Sequence, residues 1–167
     1  RPRQVAAYDA VLREVASRLG VGLAATGLLF SGYAMGVFIG APLLTAATAR
    51  LPRRTVLVAL MLLFTVGNLG CALASSYASL MAARVLTSLA HGAFFGIGIV
   101  VATDLVAHER KASAVAAMFN GMAMATLLGV PAGTWLGLRF GWHAPFWAMA
   151  SLGVLATIAI GRSVPSH

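Results

Sequence analysis

The sequence predicts an all-α membrane protein with five transmembrane helices, and three observations carry that reading. Of 167 residues, 60% are hydrophobic and only 10% are charged, with a mean hydropathy of +0.89, whereas soluble domains carry roughly 25% charged residues. Five stretches, 19–49, 55–83, 85–103, 112–138 and 140–161, contain no Asp, Glu, Lys or Arg. Each reaches the roughly 18 residues that a helix needs to cross a hydrocarbon core of about 30 Å. The stretches are continuously apolar, while strands of a membrane barrel alternate apolar and polar residues over about ten positions. Helices also satisfy every backbone group within one segment, as lipid demands.

Residues 1–22 form an amphipathic N-terminal segment. Val5, Tyr8, Leu12, Val15 and Leu19 recur at helical spacing among Arg1, Arg3, Arg13 and Arg18. The segment reads either as an interfacial helix or as the sequel to a transmembrane helix lost upstream. It has no apolar core behind a basic start, so no secretory leader is recognised.

The transmembrane bundle is expected over 23–163, with a polar tail at 164–167. The first helix covers about 23–48 and stops at "ARLPRR"; the second covers about 55–75 and stops at "SSYAS". The third runs about 78–104 into "DLVAHERK", the fourth about 112–137 into "RFGWHAP", and the fifth about 144–161. Short connections predict that consecutive helices pack antiparallel.

Loop charges orient the bundle. Arg50, Arg53 and Arg54, then Arg110 and Lys111, then Arg162 fall on one side, against Arg139 alone on the other. The positive-inside rule makes the arginine-rich side cytoplasmic and the chain a multi-pass protein of the bacterial cytoplasmic membrane. The net charge of +8 is thereby a topology signal, and nucleic acid is not an expected partner. Five helices leave residues 1–22 on the outer side, against their own arginines.

Small residues describe how the helices meet. Gly32, Gly36 and Gly40, then Gly92 and Gly96, then Gly129, Gly133 and Gly137 repeat at four-residue spacing. Such ridges allow close backbone approach where no hydrophobic effect drives helices together. Pro42 and Pro131 lie inside spans, where neighbouring groups must satisfy the carbonyl each one frees.

The stretch "RVLTSLAHGAFFGIG", residues 84–98, places Arg84 and His91 inside an apolar helix. Seven residues are close to two turns, so both project from one face. A cation there is costly unless it faces the bundle interior or snorkels to the headgroups. His91 reads either as a neutral imidazole bonded between helices or as a proton carrier. Asn68, Asn120, Thr87 and Ser88 are the polar neighbours available to the pair. Asp104 and Glu109 are expected to be solvated or paired with Arg53, Arg54, Arg110 or Lys111.

Enzymatic chemistry finds no constellation. Cys71 stands alone in an apolar helix, the histidines lack metal-ligand spacing, and neither a nucleophile elbow nor a phosphate loop is present. No metal or cofactor is expected, and the chain does not read as an enzyme.

The order "SGYAMGVFIGAPLL", "ARLPRR", "RVLTSLAHGAFFGIG", "LLGVPAGTWLG" and "GWHAPFWAMA" resembles the N-terminal half of a major facilitator superfamily transporter. The likeness is to the drug:proton antiporter branch, including arabinose-efflux-like and chloramphenicol-efflux proteins, and covers about residues 11–163. The resemblance implies that Arg50, Arg53 and Arg54 belong to the cytoplasmic loop motif. That motif's Asp reads Ala49 here, its upstream Gly reads Thr45, and its turn Gly reads Pro52. It further implies that Arg84, with Gly92, takes part in proton coupling; His91, on the same face of the helix, is a candidate coupling or gating residue from its position alone. Gly121, Gly129, Pro131 and Gly133 match the antiporter-type helix motif, with Val130 separating its usual Gly-Pro pair. His143 stands where Arg is common.

By that likeness the five helices are the family's second to sixth, with the first helix and the second six-helix half absent. The implied function is proton-coupled efflux of a small molecule, drug or sugar, with multidrug resistance as a possible outcome. Its partners are the substrate, protons, the lipid bilayer, and a missing C-terminal half or second copy. The competing reading is a membrane assembly module that transports nothing itself.

Overall fold

The computed structural model describes residues 13–14, 16–18 and 20–164. Most of the amphipathic pattern at 1–22 and most of the tail at 164–167 lie outside these residues. Among them, five helices are long and apolar enough to cross a membrane, and no strand is present. They are α1 (Leu23–Ala47), α2 (Arg53–Ala72), α3 (Tyr77–Asp104), α4 (Lys111–Phe140) and α5 (Ala144–Ser163), with a 3-10 turn at His108–Arg110 before α4.

Each boundary has a local cause. α1 continues through Pro42 and ends where the Thr48 hydroxyl donates to the Leu44 carbonyl at 2.6 Å. Pro52 caps α2 from outside the helix, its fixed φ suiting a helix start. α3 opens on a reciprocal cap in which Ser76 and Ser79 each accept the other's backbone N–H at 3.2 Å. α4 ends at Gly141, whose φ of +90° breaks the helical path and whose N–H donates to the Gly137 carbonyl at 3.0 Å.

Of the extensive interfaces one joins consecutive helices, as their short connection leads one to expect, and two join helices that are not neighbours along the chain. The extensive interfaces join α1 to α3, α2 to α3, and α2 to α5. α1 and α3 run parallel, since the Tyr77 hydroxyl at the start of α3 donates to the Ala25 carbonyl at the start of α1 (2.7 Å). Glycine explains the preference. A Cβ at Gly40 would come within 2.5 Å of the Leu89 Cα, and one at Gly92 within 2.5 Å of the Val37 carbonyl. α1 and α3 thus touch backbone to backbone. On α2, Gly67 faces Thr87 and Gly70 faces Ala83 of α3, while Gly153 of α5 closes on Thr65 of α2.

Two apolar clusters result. One, toward the arginine-rich end, gathers Val56, Leu57, Leu60, Ala90, Ala93, Ile97 and Val101. The other, toward the opposite end, gathers Leu29, Cys71, Ala74, Leu80 and Trp142. Trp142 stacks on His143 with ring centroids 3.6 Å apart, so His143 sits in the turn between α4 and α5. α4 is the outlier: nearly all of its surface is open, with Gly137 its one buried residue.

Candidate functional site

The intramembrane polar groups converge where α1, α2 and α3 meet. Arg84 lies seven residues into α3, about 10 Å along the axis from its start. Its guanidinium carbon sits 4.6 Å from the centroid of the Tyr33 ring and 5.3 Å from that of Phe30. Phe30 and Tyr33 are three residues apart on α1, so their rings share a face. On insertion scales an arginine at the centre of a spanning helix costs about 3 kcal/mol. Each aromatic face offsets about 0.5–2 kcal/mol of such a cost. Arg84 therefore packs against α1, the first of the two placements that the sequence leaves open.

His91, two turns along the same face, meets the other end of the same tyrosine. Its Nδ1 lies 2.9 Å from the Tyr33 hydroxyl, and the two rings stand edge to face at 6.0 Å and 85°. Phe64 of α2 closes on the imidazole from a third helix at 6.4 Å. Tyr33 thus touches both polar groups of α3, one through its ring and one through its hydroxyl.

The expected polar neighbours are occupied elsewhere. Asn68 donates to the Phe64 carbonyl at 2.9 Å, Thr87 to the Ala83 carbonyl at 2.5 Å, and Ser88 to the Val85 carbonyl at 2.6 Å. Each serves its own helix, and Asn120 is exposed on α4. Aromatic residues of α1 take their place, and nothing about Phe30 or Tyr33 in the apolar run distinguishes them from lipid-facing rings.

The packing glycines hold this geometry. Gly36 lies one turn beyond Tyr33, and a Cβ there would collide with the buried Ser88 hydroxyl, one turn beyond Arg84. A Cβ at Gly32 would lie 3.0 Å from the Met81 sulfur, and one at Gly96 would lie 4.0 Å from the Thr45 hydroxyl. Any widening of this seam would draw the Phe30 and Tyr33 rings away from Arg84.

A second polar group lies at the arginine-rich end. Arg53 pairs with Asp104, the last residue of α3, and Arg54 donates to the Gly161 carbonyl in the last turn of α5. The terminal carbonyls of a helix lack intrahelical donors and carry partial negative charge. Two consecutive arginines at the start of α2 therefore fasten the ends of α3 and α5. Arg50 is exposed and joins neither contact. Thr45, Thr48, Arg53 and Ile97 line a cleft beside the pair.

The antiporter-type motif is not brought to Arg84. Gly121, Gly129 and Gly133 have nothing within 4 Å of a built Cβ, and Pro131 is exposed. α4 touches the bundle chiefly through Met118 against Gly98 and Phe119 against Phe95. Among the described residues, no cluster of three or more His, Cys, Asp or Glu could hold a metal ion.

Comparison with known proteins places this architecture. The sequence model of the Major Facilitator Superfamily matches residues 5–166. The chain is 47% identical over 155 residues to the inner membrane transport protein YdhP of Escherichia coli (strain K12), covering 93% of this chain and 40% of that protein. It is 42% identical over 152 residues to the MFS-type transporter YtbD of Bacillus subtilis (strain 168), covering 91% of this chain and 38% of that protein. It is 36% identical over 156 residues to a chloramphenicol resistance protein of Streptomyces lividans, covering 90% and 40%. The chain spans about 40% of the length of these relatives. With five apolar helices in a glycine-sealed bundle and a family match over nearly every residue, the chain belongs to the major facilitator superfamily.

Proposed function

We propose that the chain is the N-terminal portion of a proton-coupled exporter of small molecules, seated in the bacterial cytoplasmic membrane. The family match over residues 5–166 carries the transport reading. The efflux reading is supported by the likeness to a chloramphenicol resistance protein. In this reading the substrate is a drug-like molecule or a sugar, in keeping with the likeness to a chloramphenicol resistance protein and to a protein named as a probable sugar efflux transporter.

Arg84 and His91 act as coupling or gating groups in this reading. What supports it is their placement: a cation and an imidazole in mid-bundle, both held against Tyr33 at the junction of three helices. Arg53 and Arg54 act as a latch at the cytoplasmic end, because they join the start of α2 to the ends of α3 and α5. Transporters of this architecture alternate access by rocking one repeat against another around a midplane site. A surface-exposed ion pair, worth at most about 1 kcal/mol, can break and reform in each cycle.

The open face of α4, with Gly121, Gly129, Pro131 and Gly133, packs in this reading against the remaining length of the transporter or a second copy. The same face supports the competing reading of an assembly module without transport.

The test is accumulation of labelled drugs and sugars, chloramphenicol included, in efflux-deficient cells expressing the full-length protein. Lowered accumulation that a protonophore restores supports proton-driven export. Arg84→Ala should abolish that export while leaving membrane insertion intact. Unchanged accumulation across the panel, with the protein in the membrane, would leave the assembly module as the better reading.

A further inference from the structure

We infer that Tyr33 is a positioning residue that couples Arg84 to His91 and holds His91 in a single tautomer, with the proton on Nε2. The inference deepens the proposed role of Arg84 and His91, and its test reads the imidazole directly, whether or not the protein exports anything.

The bond between Tyr33 and His91 has two possible directions, because a phenol and an imidazole nitrogen can each donate or accept. The chemistry of the two groups chooses between them. The Tyr33 hydroxyl lies 2.9 Å from the His91 Nδ1, at a partly open site between α1 and α3. A phenol O–H is a far stronger acid than a neutral imidazole N–H, and an imidazole nitrogen is a far stronger base than a phenol oxygen, so passing the phenol proton toward Nδ1 pairs the stronger donor with the stronger acceptor. Donation by Tyr33 uses that proton and leaves Nδ1 bare, which puts the imidazole proton on Nε2.

Arg84 reinforces the same direction. Its guanidinium lies over the Tyr33 ring at 4.6 Å. A cation on the π face draws electron density from the ring and hence from the phenol oxygen. The hydroxyl then donates more strongly and accepts less well. Arg84 and His91 are two turns apart on one helix, so their side chains reach each other through this tyrosine of the neighbouring helix. Separation of α1 from α3 would release both contacts together, freeing Nδ1 at the moment Arg84 loses the ring.

Nitrogen-15 NMR of histidine-labelled full-length protein in lipid nanodiscs tests this. The chain contains four histidines, and His91→Gln identifies the resonances of the one within a described span. At about pH 8, above the usual imidazole range, the wild type should show one His91 form, with Nε2 protonated and Nδ1 bare but hydrogen-bonded. Tyr33→Phe keeps the ring over Arg84 and removes the hydroxyl, so the Nδ1 signal should shift to that of a free nitrogen and the second tautomer should appear. Arg84→Gln should weaken the Nδ1 hydrogen-bond shift while Tyr33 remains. A wild type with Nδ1 protonated or with mixed tautomers overturns the inference, and so does a Tyr33→Phe spectrum identical to wild type. Should Tyr33→Phe fail to fold, the wild-type and Arg84→Gln spectra decide the question alone.

Discussion

At the scale of single residues, two kinds of glycine are separated by what lies opposite them. Gly40 and Gly92 face backbone, with Leu89 Cα and the Val37 carbonyl each 2.5 Å from a built Cβ. Gly121 and Gly129 face nothing within 4 Å. Gly40→Ala and Gly92→Ala should each cost about 1–3 kcal/mol, because the obstruction is main chain and α1 must move off α3. The measurement is thermal unfolding of the purified chain in detergent, with Gly121→Ala as the paired control. Equal melting temperatures for the two classes would dismiss the close contact. Part of this was legible in the sequence, since the four-residue spacing singled out Gly36, Gly40 and Gly92. Gly153 closes as tightly on the Thr65 side chain, and Gly67 and Gly70 pack somewhat less closely on α3, all without that spacing; a lone glycine in a span carries no marker of its partner. Arg84 and His91 were legible for the opposite reason: polar groups in an apolar run must be accommodated. Tyr33 was not, because an aromatic ring in a span is compatible with lipid, core or site.

At the scale of elements, the five helices follow from uninterrupted apolar length, whereas their pairing does not. Short loops force consecutive helices to reverse direction, yet they leave open which helices touch. α1 passes over α2 to lie on α3, where Gly40 and Gly92 meet backbone and Gly36 makes room for the Ser88 side chain. The ends of α2, α3 and α5 then come together, and Arg53 and Arg54 find Asp104 and the Gly161 carbonyl. With side chains about half exposed on both partners, the Arg53–Asp104 pair should contribute little to stability. Asp104→Asn should lower the unfolding free energy by less than about 1 kcal/mol, and added salt should narrow the difference further. A loss of several kcal/mol would mean that the pair is structural rather than a latch. Orientation has its own check. Cys71 is buried, so thiol labelling of the wild type should be weak. In intact cells an impermeant maleimide should modify Arg139→Cys and spare Lys111→Cys, and inverted vesicles should reverse the pattern. The opposite result would invert the topology assigned from loop charge.

At the scale of the whole molecule, α4 is the element that the rest of the bundle does not account for. Thirty residues long, it has Gly137 as its one buried residue and leaves Met124, Leu127, Leu128 and Trp135 exposed. Exposed apolar residues are ordinary against lipid, so they do not by themselves indicate a partner. Glycine is the informative component. A helix that faces only acyl chains gains nothing from Gly121, Gly129 and Gly133, because small residues in spans serve close helix approach. A packed face and a lipid face respond differently to bulk. In a chain ending at residue 167, Gly121→Leu and Gly129→Leu should leave the melting temperature in detergent unchanged, since each new side chain enters open space. In the full-length protein the same substitutions should force a neighbouring helix away and cost about 1–3 kcal/mol each, read as a lowered melting temperature. Equal tolerance in both would assign this face to lipid and remove the assembly argument for it. Sensitivity confined to the full-length protein would make this face of α4 a helix-packing surface rather than a lipid-facing one.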